Sequence, residues 1–226
     1  MVGASCQRSG TSRRWSDLDT KQVSILLFEG CDLLDAGGPY EVFLTASRLV
    51  ERTGGERPFT VDMVTVDGEP VTAYGGLGLT PTAPPDVLDG SDIVIIPGAI
   101  DLAEVLDDSQ LLAAVSSAAD SDRSVVASVC TGAFLLGEVG ALDGRAWTTH
   151  WEDIDMLVER IAQEGATRGV RWVDSDTIVT GGALSSGIAL ALHLVARETS
   201  EELAERTALQ LDYDWTNTSL VTDGDT

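Results

Sequence analysis

Cys130 sits where a thiol is well placed to attack a substrate. A short apolar run, Val125-Val126-Ala127-Ser128-Val129, leads into it, and Thr131-Gly132-Ala133 and an apolar helical pattern (Phe134, Leu135, Leu136) follow. The pattern predicts a strand, a tight turn carrying the cysteine, and a helix start. A helix N-terminus offers free N–H groups and partial positive charge. These favour thiolate over thiol and can hold negative charge that develops on a substrate after attack. The layout is a cysteine version of a nucleophile elbow. The plainer alternative is a core cysteine, since free cysteine is among the most buried residue types.

Other residues could complete a site around that sulfur. Asp35 follows the first apolar run, ahead of Gly38-Pro39. It reads either as a helix-start carboxylate or as an acid or base facing the thiol, because a carboxyl withdrawn from water keeps its proton to neutral pH. Thr131 places an N–H directly after the nucleophile and adds a hydroxyl. Gly98 and Ala99 end another apolar run. Exposed N–H groups there would complete an oxyanion-binding site, although a turn needing small residues explains them as well. His150, in Trp147-Thr148-Thr149-His150-Trp151, is the candidate to activate the thiol, and geometry decides whether it reaches. His193 lies in an apolar helical pattern and reads as a satisfied core residue, while Asp174 and Asp176 read as turn residues. Tyr213 and Trp215 would pack over the site or an interface.

These residues need a scaffold, and the apolar pattern supplies one. Strands are expected at 23–28, 60–66, 92–98 and 125–129, with a short strand pair over 71–80. Another pair, 170–173 and 177–180, would flank Asp174-Ser175-Asp176. Helices are expected from Gly38-Pro39 to about Arg52, somewhere within 102–119, and over 131–139, 151–165, 186–197 and 201–211. Proline at a first helical position costs nothing, which is why the first helix is placed there. Buried strands alternating with helices predict an α/β fold: one domain with a mostly parallel sheet sandwiched by helices. Ligands in such sheets sit outside the carboxyl ends of the strands, which is where Asp35, Gly98 and Cys130 fall. Residues 1–20 read as a flexible N-terminal tail, 21–213 as the α/β domain and 214–226 as an acidic C-terminal tail.

Composition excludes several function classes. With 14 Lys and Arg against 37 Asp and Glu, the net charge is −23, so no basic stripe is available for nucleic acid or an anionic membrane. Lys21 is the only lysine. An acidic, lysine-poor surface resembles that of proteins from salt-loving organisms, and a GC-rich genome is the other explanation. Cys6, Cys31 and Cys130 show neither disulfide nor zinc spacing, and no metal is expected. There is no apolar run of membrane-spanning length and no signal-peptide pattern, so a cytoplasmic location is the default.

Several ordered segments together resemble one superfamily. They are Leu33-Leu34-Asp35-Ala36-Gly37-Gly38-Pro39-Tyr40-Glu41-Val42-Phe43, Ile95-Ile96-Pro97-Gly98-Ala99, Ser128-Val129-Cys130-Thr131-Gly132-Ala133 and Ala141-Leu142-Asp143-Gly144-Arg145-Ala146-Trp147-Thr148-Thr149-His150-Trp151. Val179-Thr180-Gly181-Gly182-Ala183-Leu184-Ser185-Ser186-Gly187 and Leu209-Gln210-Leu211-Asp212-Tyr213 continue the series. The chain resembles the ThiJ/PfpI superfamily over about residues 22–213, and within it the isonitrile hydratase branch and the similar domain of certain transcription regulators. The resemblance implies a flavodoxin-like, class I glutamine amidotransferase-like fold and a homodimer. It implies Cys130 as nucleophile, Asp35 as its acidic partner and Thr131 as the threonine that isonitrile hydratases need. Another branch carries Glu where this chain has Asp35. Ala99 departs from the pattern, where a second glycine is expected.

The implied reaction adds water to an isonitrile and yields an N-substituted formamide, with no metal or organic cofactor. A small-molecule hydratase or hydrolase of the lyase type is therefore the leading expectation. Glyoxalase- or deglycase-like chemistry on reactive carbonyls is the alternative enzyme reading. A non-enzymatic reading is a cysteine-oxidation or ligand sensor. A transcription regulator would need a DNA-binding helical module, which the sequence does not supply after about residue 211.

Overall fold

The computed structural model describes residues 19–220, apart from 123, 162 and 163. Cys6 and all but the last two residues of the expected N-terminal tail lie outside the described residues, as do residues 221–226 of the expected C-terminal tail. The first half of the chain forms β1 (Lys21–Leu26), α1 (Leu33–Glu51), β2 (Phe59–Val64), β3 (Val71–Thr72), β4 (Gly78–Leu79) and β5 (Ile93–Ile96). Next come α2 (Leu102–Asp107), α3 (Ser109–Ala119), β6 (Val125–Ser128), α4 (Ala133–Glu138) and α5 (Ile154–Ile161). The chain closes with β7 (Trp172–Ser175), β8 (Ile178–Gly181), α6 (Ser186–Glu198) and α7 (Glu201–Gln210).

Six strands make the main sheet in the order β2-β1-β5-β6-β8-β7, and β3 and β4 form a separate antiparallel pair. All neighbours in the main sheet run parallel except β7 against β8. Helices α1, α6 and α7 pack together as one layer, and α2 to α5 as the other. All four residues of β5 and β8 are buried, as a sheet covered on both faces requires. Phe43 of α1 meets Phe59 of β2 edge to face, with ring centroids 4.9 Å apart. No helix among the described residues is long and apolar enough to cross a membrane.

Topology assembles the site. The chain leaves β1 for β2 on one side and later returns with β5 on the other, so the carboxyl ends of β1 and β5 form the topological switch point of the sheet. Ile25 pairs with Ile95, and Ile96 pairs with Ser128. The loop after β1, the Pro97-Gly98 turn and Cys130 therefore emerge side by side.

Local detail departs from expectation in four places. First, α1 begins at Leu33, not at Gly38-Pro39, so Pro39 lies inside the helix. The small residues there serve close packing: a Cβ on Gly38 would stand 3.0 Å from Ile188 of α6. Second, the helix expected within 102–119 is two helices. Asp108 is extended (φ −77°, ψ 97°) and its side chain accepts from the N–H groups of Gln110 and Leu111, capping α3. Third, α5 covers only Ile154–Ile161 of the expected 151–165. Fourth, Asp174 is a strand residue rather than a turn residue. Its carboxylate lies 2.7 Å from His193 Nε2 and accepts from Arg197 at 3.2 Å, while Asp176 makes the turn at φ 71°. His193 also stacks on Trp172, with centroids 5.1 Å apart. Trp215 donates from Nε1 to the Ala189 carbonyl of α6 at 3.2 Å, which ties the C-terminal segment to that helix.

Candidate active site

Cys130 occupies the bend between β6 and α4 with φ 55°, a left-handed conformation that costs a non-glycine residue energy and persists only where the surroundings hold it. Here the backbone is held at both ends. Its N–H donates to the Gly182 carbonyl at 2.8 Å, and its carbonyl accepts from the Thr149 hydroxyl at 2.8 Å. Gly132 permits the bend to sit against β5: a Cβ there would come within 2.5 Å of the Ile96 carbonyl oxygen. The sulfur's residue is buried, 3% exposed, yet its neighbours are not hydrocarbon alone. Ligand atoms of Cys130, Asp35 and Asp32 all lie within 4.8 Å of one another.

The first turn of α1 supplies both carboxylates. Asp32 is the N-cap residue and Asp35 stands in the first turn, so the i, i+3 spacing puts them on one face. Gly98 brackets that turn with its backbone. Its carbonyl accepts the Asp32 N–H at 2.8 Å, and its N–H donates to Asp35 Oδ2 at 2.9 Å. The other oxygen of Asp35 is buried without a partner, as is Asp32 Oδ2. Burial, opposed by the Gly98 N–H and reinforced by the Asp32 charge, pushes the Asp35 pKa up to about 7. Burial also raises the pKa of Asp32, against the pull of His150.

Thr131 binds to the turn beside it. Its hydroxyl accepts from the Ala99 N–H at 2.9 Å and donates to the Ala99 carbonyl at 2.8 Å. The N–H groups of Gly98 and Ala99 are thus both engaged by site side chains rather than left open for an oxyanion. What these residues provide is clearance and positioning. A Cβ on Gly98 would stand 2.6 Å from Thr131 Oγ1 and 2.9 Å from Asp35 Oδ2, so only glycine fits. Ala99 is buried and its methyl is accommodated.

The resting thiol differs from the expected thiolate. Burial first and the Asp35 charge second push the Cys130 pKa up to about 12, and the Thr131 N–H and hydroxyl only partly offset them. The helix that follows is six residues long and begins after a 3-10 turn, Cys130–Gly132, which weakens the dipole argument made from sequence. A thiol with its pKa raised this far needs a proton acceptor before it can attack, and Asp35 is the buried carboxyl beside it.

His150 lies beside the acidic residues that follow it and influences Asp32: its Nδ1 is 3.3 Å from Asp153 and 3.9 Å from Glu152. Asp32 is the site residue that sequence reading missed, because Glu29-Gly30-Cys31-Asp32 reads as a plain turn ahead of a helix expected only from Gly38-Pro39. The Asp32-x-x-Asp35 spacing behind a buried strand is the signal that could have found it. Among the described residues, Asp32, Asp35 and Cys130 are also the donors that could hold a cation. A surface cavity of about 720 Å³ lies elsewhere, lined by Asp67, Asp86, Gln110 and Ser117 among others, with no cysteine or histidine in its wall.

Comparison with known proteins gives the family and the fold. The isonitrile hydratase of Pseudomonas putida is 33% identical over 192 residues, 85% of this chain and 78% of that protein. The HTH-type transcriptional regulator GbdR of Pseudomonas aeruginosa is 24% identical over 81% of this chain, which spans 48% of the regulator. Among solved structures, a ThiJ/PfpI family protein from Pseudomonas syringae superposes with a TM-score of 0.74 at 24% identity, covering 94% of this chain and 82% of that one. Drosophila melanogaster DJ-1beta superposes with a TM-score of 0.72 at 16% identity, covering 87% of this chain and all of its own. The fold is therefore the one these proteins share. A family model matches residues 21–197, from the first strand to the last turn of α6, and the chain belongs to the DJ-1/PfpI family.

Proposed function

We propose that this protein is a cysteine-dependent isonitrile hydratase. One observation carries the reading: a thiol on a left-handed bend, within 4.8 Å of a buried carboxyl whose pKa is raised to about 7. The similarity to the Pseudomonas putida isonitrile hydratase supplies the substrate class. Isonitrile hydration needs both the electron pair and the proton of a thiol at one carbon. The Cys130 sulfur bonds to the terminal carbon, and Asp35, having taken the thiol proton, delivers it to the same carbon. The product of this half is a thioimidate, R–N=CH–S–Cys130. Water then adds to the carbon, nitrogen gains a proton, and the C–S bond breaks to release R–NH–CHO. Thr131 offers the sulfur its N–H, its hydroxyl proton going to the Ala99 carbonyl, and Gly98 and Ala99 hold Asp35 and Thr131 in place.

Leu33, Leu34, Ile100 and Trp151 are exposed apolar residues next in sequence to Asp32, Ala99 and His150. They suit an apolar substituent at the mouth or the face of a second copy, and the homodimer remains part of the proposal, checked by sedimentation. A cytoplasmic, salt-adapted setting is proposed on the same footing.

The deciding experiment is formamide production from a panel of isonitriles, with methylglyoxal as the carbonyl arm. Turnover of isonitriles that disappears in Cys130→Ala and Asp35→Asn supports the hydratase. Turnover of methylglyoxal alone would move the reading to carbonyl chemistry, and turnover of neither would leave the sensor.

A further inference from the structure

Asp32 has no role in the scheme above, yet it forms one side of the site. An aspartate at an N-cap ordinarily accepts N–H groups of its own helix. Asp32 accepts none. One of its oxygens is buried without a hydrogen-bond partner, and the residue as a whole is 8% exposed. Asp35, three residues on, would be the other half of a capping box, and it is diverted as well, to the Gly98 N–H. A helix start that gives up both carboxylate caps and seats them beside a thiol is arranged for chemistry, not for helix stability.

We propose that Asp32 is the general base of the second half-reaction: it takes a proton from the water that attacks the thioimidate and passes it to nitrogen. The inference rests on the hydratase reading. Two carboxylates in different surroundings divide acid and base work, the more buried one holding the proton. Asp35 is wholly buried; Asp32 lies nearer the surface. The groups facing Asp32 are Asp35 on its own helix, Cys31 on the preceding loop, Cys130, and His150, which in turn meets Asp153 and Glu152.

The balance closes. In the first half the S–C bond forms and the one proton shared by Cys130 and Asp35 ends on carbon, leaving Asp35 ionised. In the second, water oxygen bonds to that carbon while one water proton passes through Asp32 to nitrogen. The remaining O–H proton goes to Asp35 as the C–S bond breaks. Cys130 leaves with its electron pair, and the formamide departs. Asp32 ends as it began.

The test mixes the full chain with benzyl isocyanide and follows formamide and intact protein mass together. Asp32→Asn is expected to form the adduct, protein plus one isonitrile, at the wild-type rate and then stall, with steady-state turnover falling about 100-fold or more. Asp35→Asn forms no adduct, and Asp32→Glu recovers part of the turnover. Asp32→Ser keeps a capping residue and serves as the second variant should the amide destabilise the fold. Unchanged turnover in the Asp32 variants overturns the inference alone, as does loss of adduct formation in folded Asp32 variants. A wild-type protein that makes neither adduct nor formamide overturns the hydratase reading and the inference with it.

Discussion

Replacing Asp35 with asparagine separates what the carboxyl does for the reaction from what it costs the fold. Asp35 is fully buried, and its pKa rises from 3.8 to about 7, chiefly through burial. Folded protein therefore keeps a proton that the unfolded chain releases across this interval. The stability linked to that proton is complete below pH 3.8 and is lost progressively as pH rises to about 7. At about 1.4 kcal/mol per pH unit, the loss approaches about 4 kcal/mol as a ceiling. Asparagine carries no charge at any pH, and its Oδ1 can still accept the Gly98 N–H that Asp35 Oδ2 accepts at 2.9 Å. Asp35→Asn should thus melt close to wild type at about pH 4 and well above it at about pH 8. In a chain of this size 4 kcal/mol corresponds to a gap of about 8–16 °C. Melting curves of both proteins across that range read the gap directly, and formamide assays on the same samples should show the more stable protein inactive. A melting difference that stays flat with pH would show that the carboxyl is not held protonated by burial, and the proton inventory of the site would fall with it.

Other perturbations test the scaffold. Gly98→Ala forces a Cβ to within 2.6 Å of Thr131 Oγ1 and 2.9 Å of Asp35 Oδ2; overpacking of this kind costs about 1–3 kcal/mol, and turnover should fall because both side chains must move. Burial raises the Asp174 pKa, but His193 and Arg197 outweigh it and hold the carboxyl below its ordinary value. Its contribution is present above about pH 4 and lost as pH falls, so Asp174→Asn should cost about 1 kcal/mol in urea melts near pH 6 and less near pH 3. A net charge of −23 makes the fold repel itself, so the wild-type melting temperature should climb from millimolar to molar salt as screening shortens. A protein indifferent to salt would refute the salt-adapted reading.

The strands were legible because burial leaves a plain mark: Ile93-Val94-Ile95-Ile96 and Val125-Val126-Ala127 are apolar runs that only a covered sheet tolerates. Helix starts were less legible. Pro39 looks like a first-turn proline, and the two exposed leucines that truly begin α1 carry no periodic signal. Cys130, Asp35 and Thr131 could be named from type and position, and the structure brings them together. The engagement of the Gly98 and Ala99 N–H groups could not be read, since which hydrogen meets which side chain depends on register between β5 and β6. Asp32 was hidden because the helix starts at Leu33 rather than at Gly38-Pro39, so neither its N-cap position nor the missing cap bond could be read.

The sign of the thiol's pKa shift bears on which chemistry the site favours. Oxidation by peroxide consumes thiolate, and a buried sulfur with its pKa pushed up to about 12 supplies little. Hydration asks for something else. The isonitrile carbon must receive a proton as well as sulfur, so a thiol that keeps its proton until the substrate arrives wastes nothing. Passing that proton from a thiol with a pKa of about 12 to the Asp35 carboxylate, with a pKa of about 7, is uphill in the free site, so the transfer has to accompany formation of the S–C bond. On the proposed reading, the burial that keeps Cys130 protonated suits an addition across S–H better than an oxidation switch, and the hydrogen bonds that fix the bend at φ 55° keep the sulfur within 4.8 Å of the carboxyl.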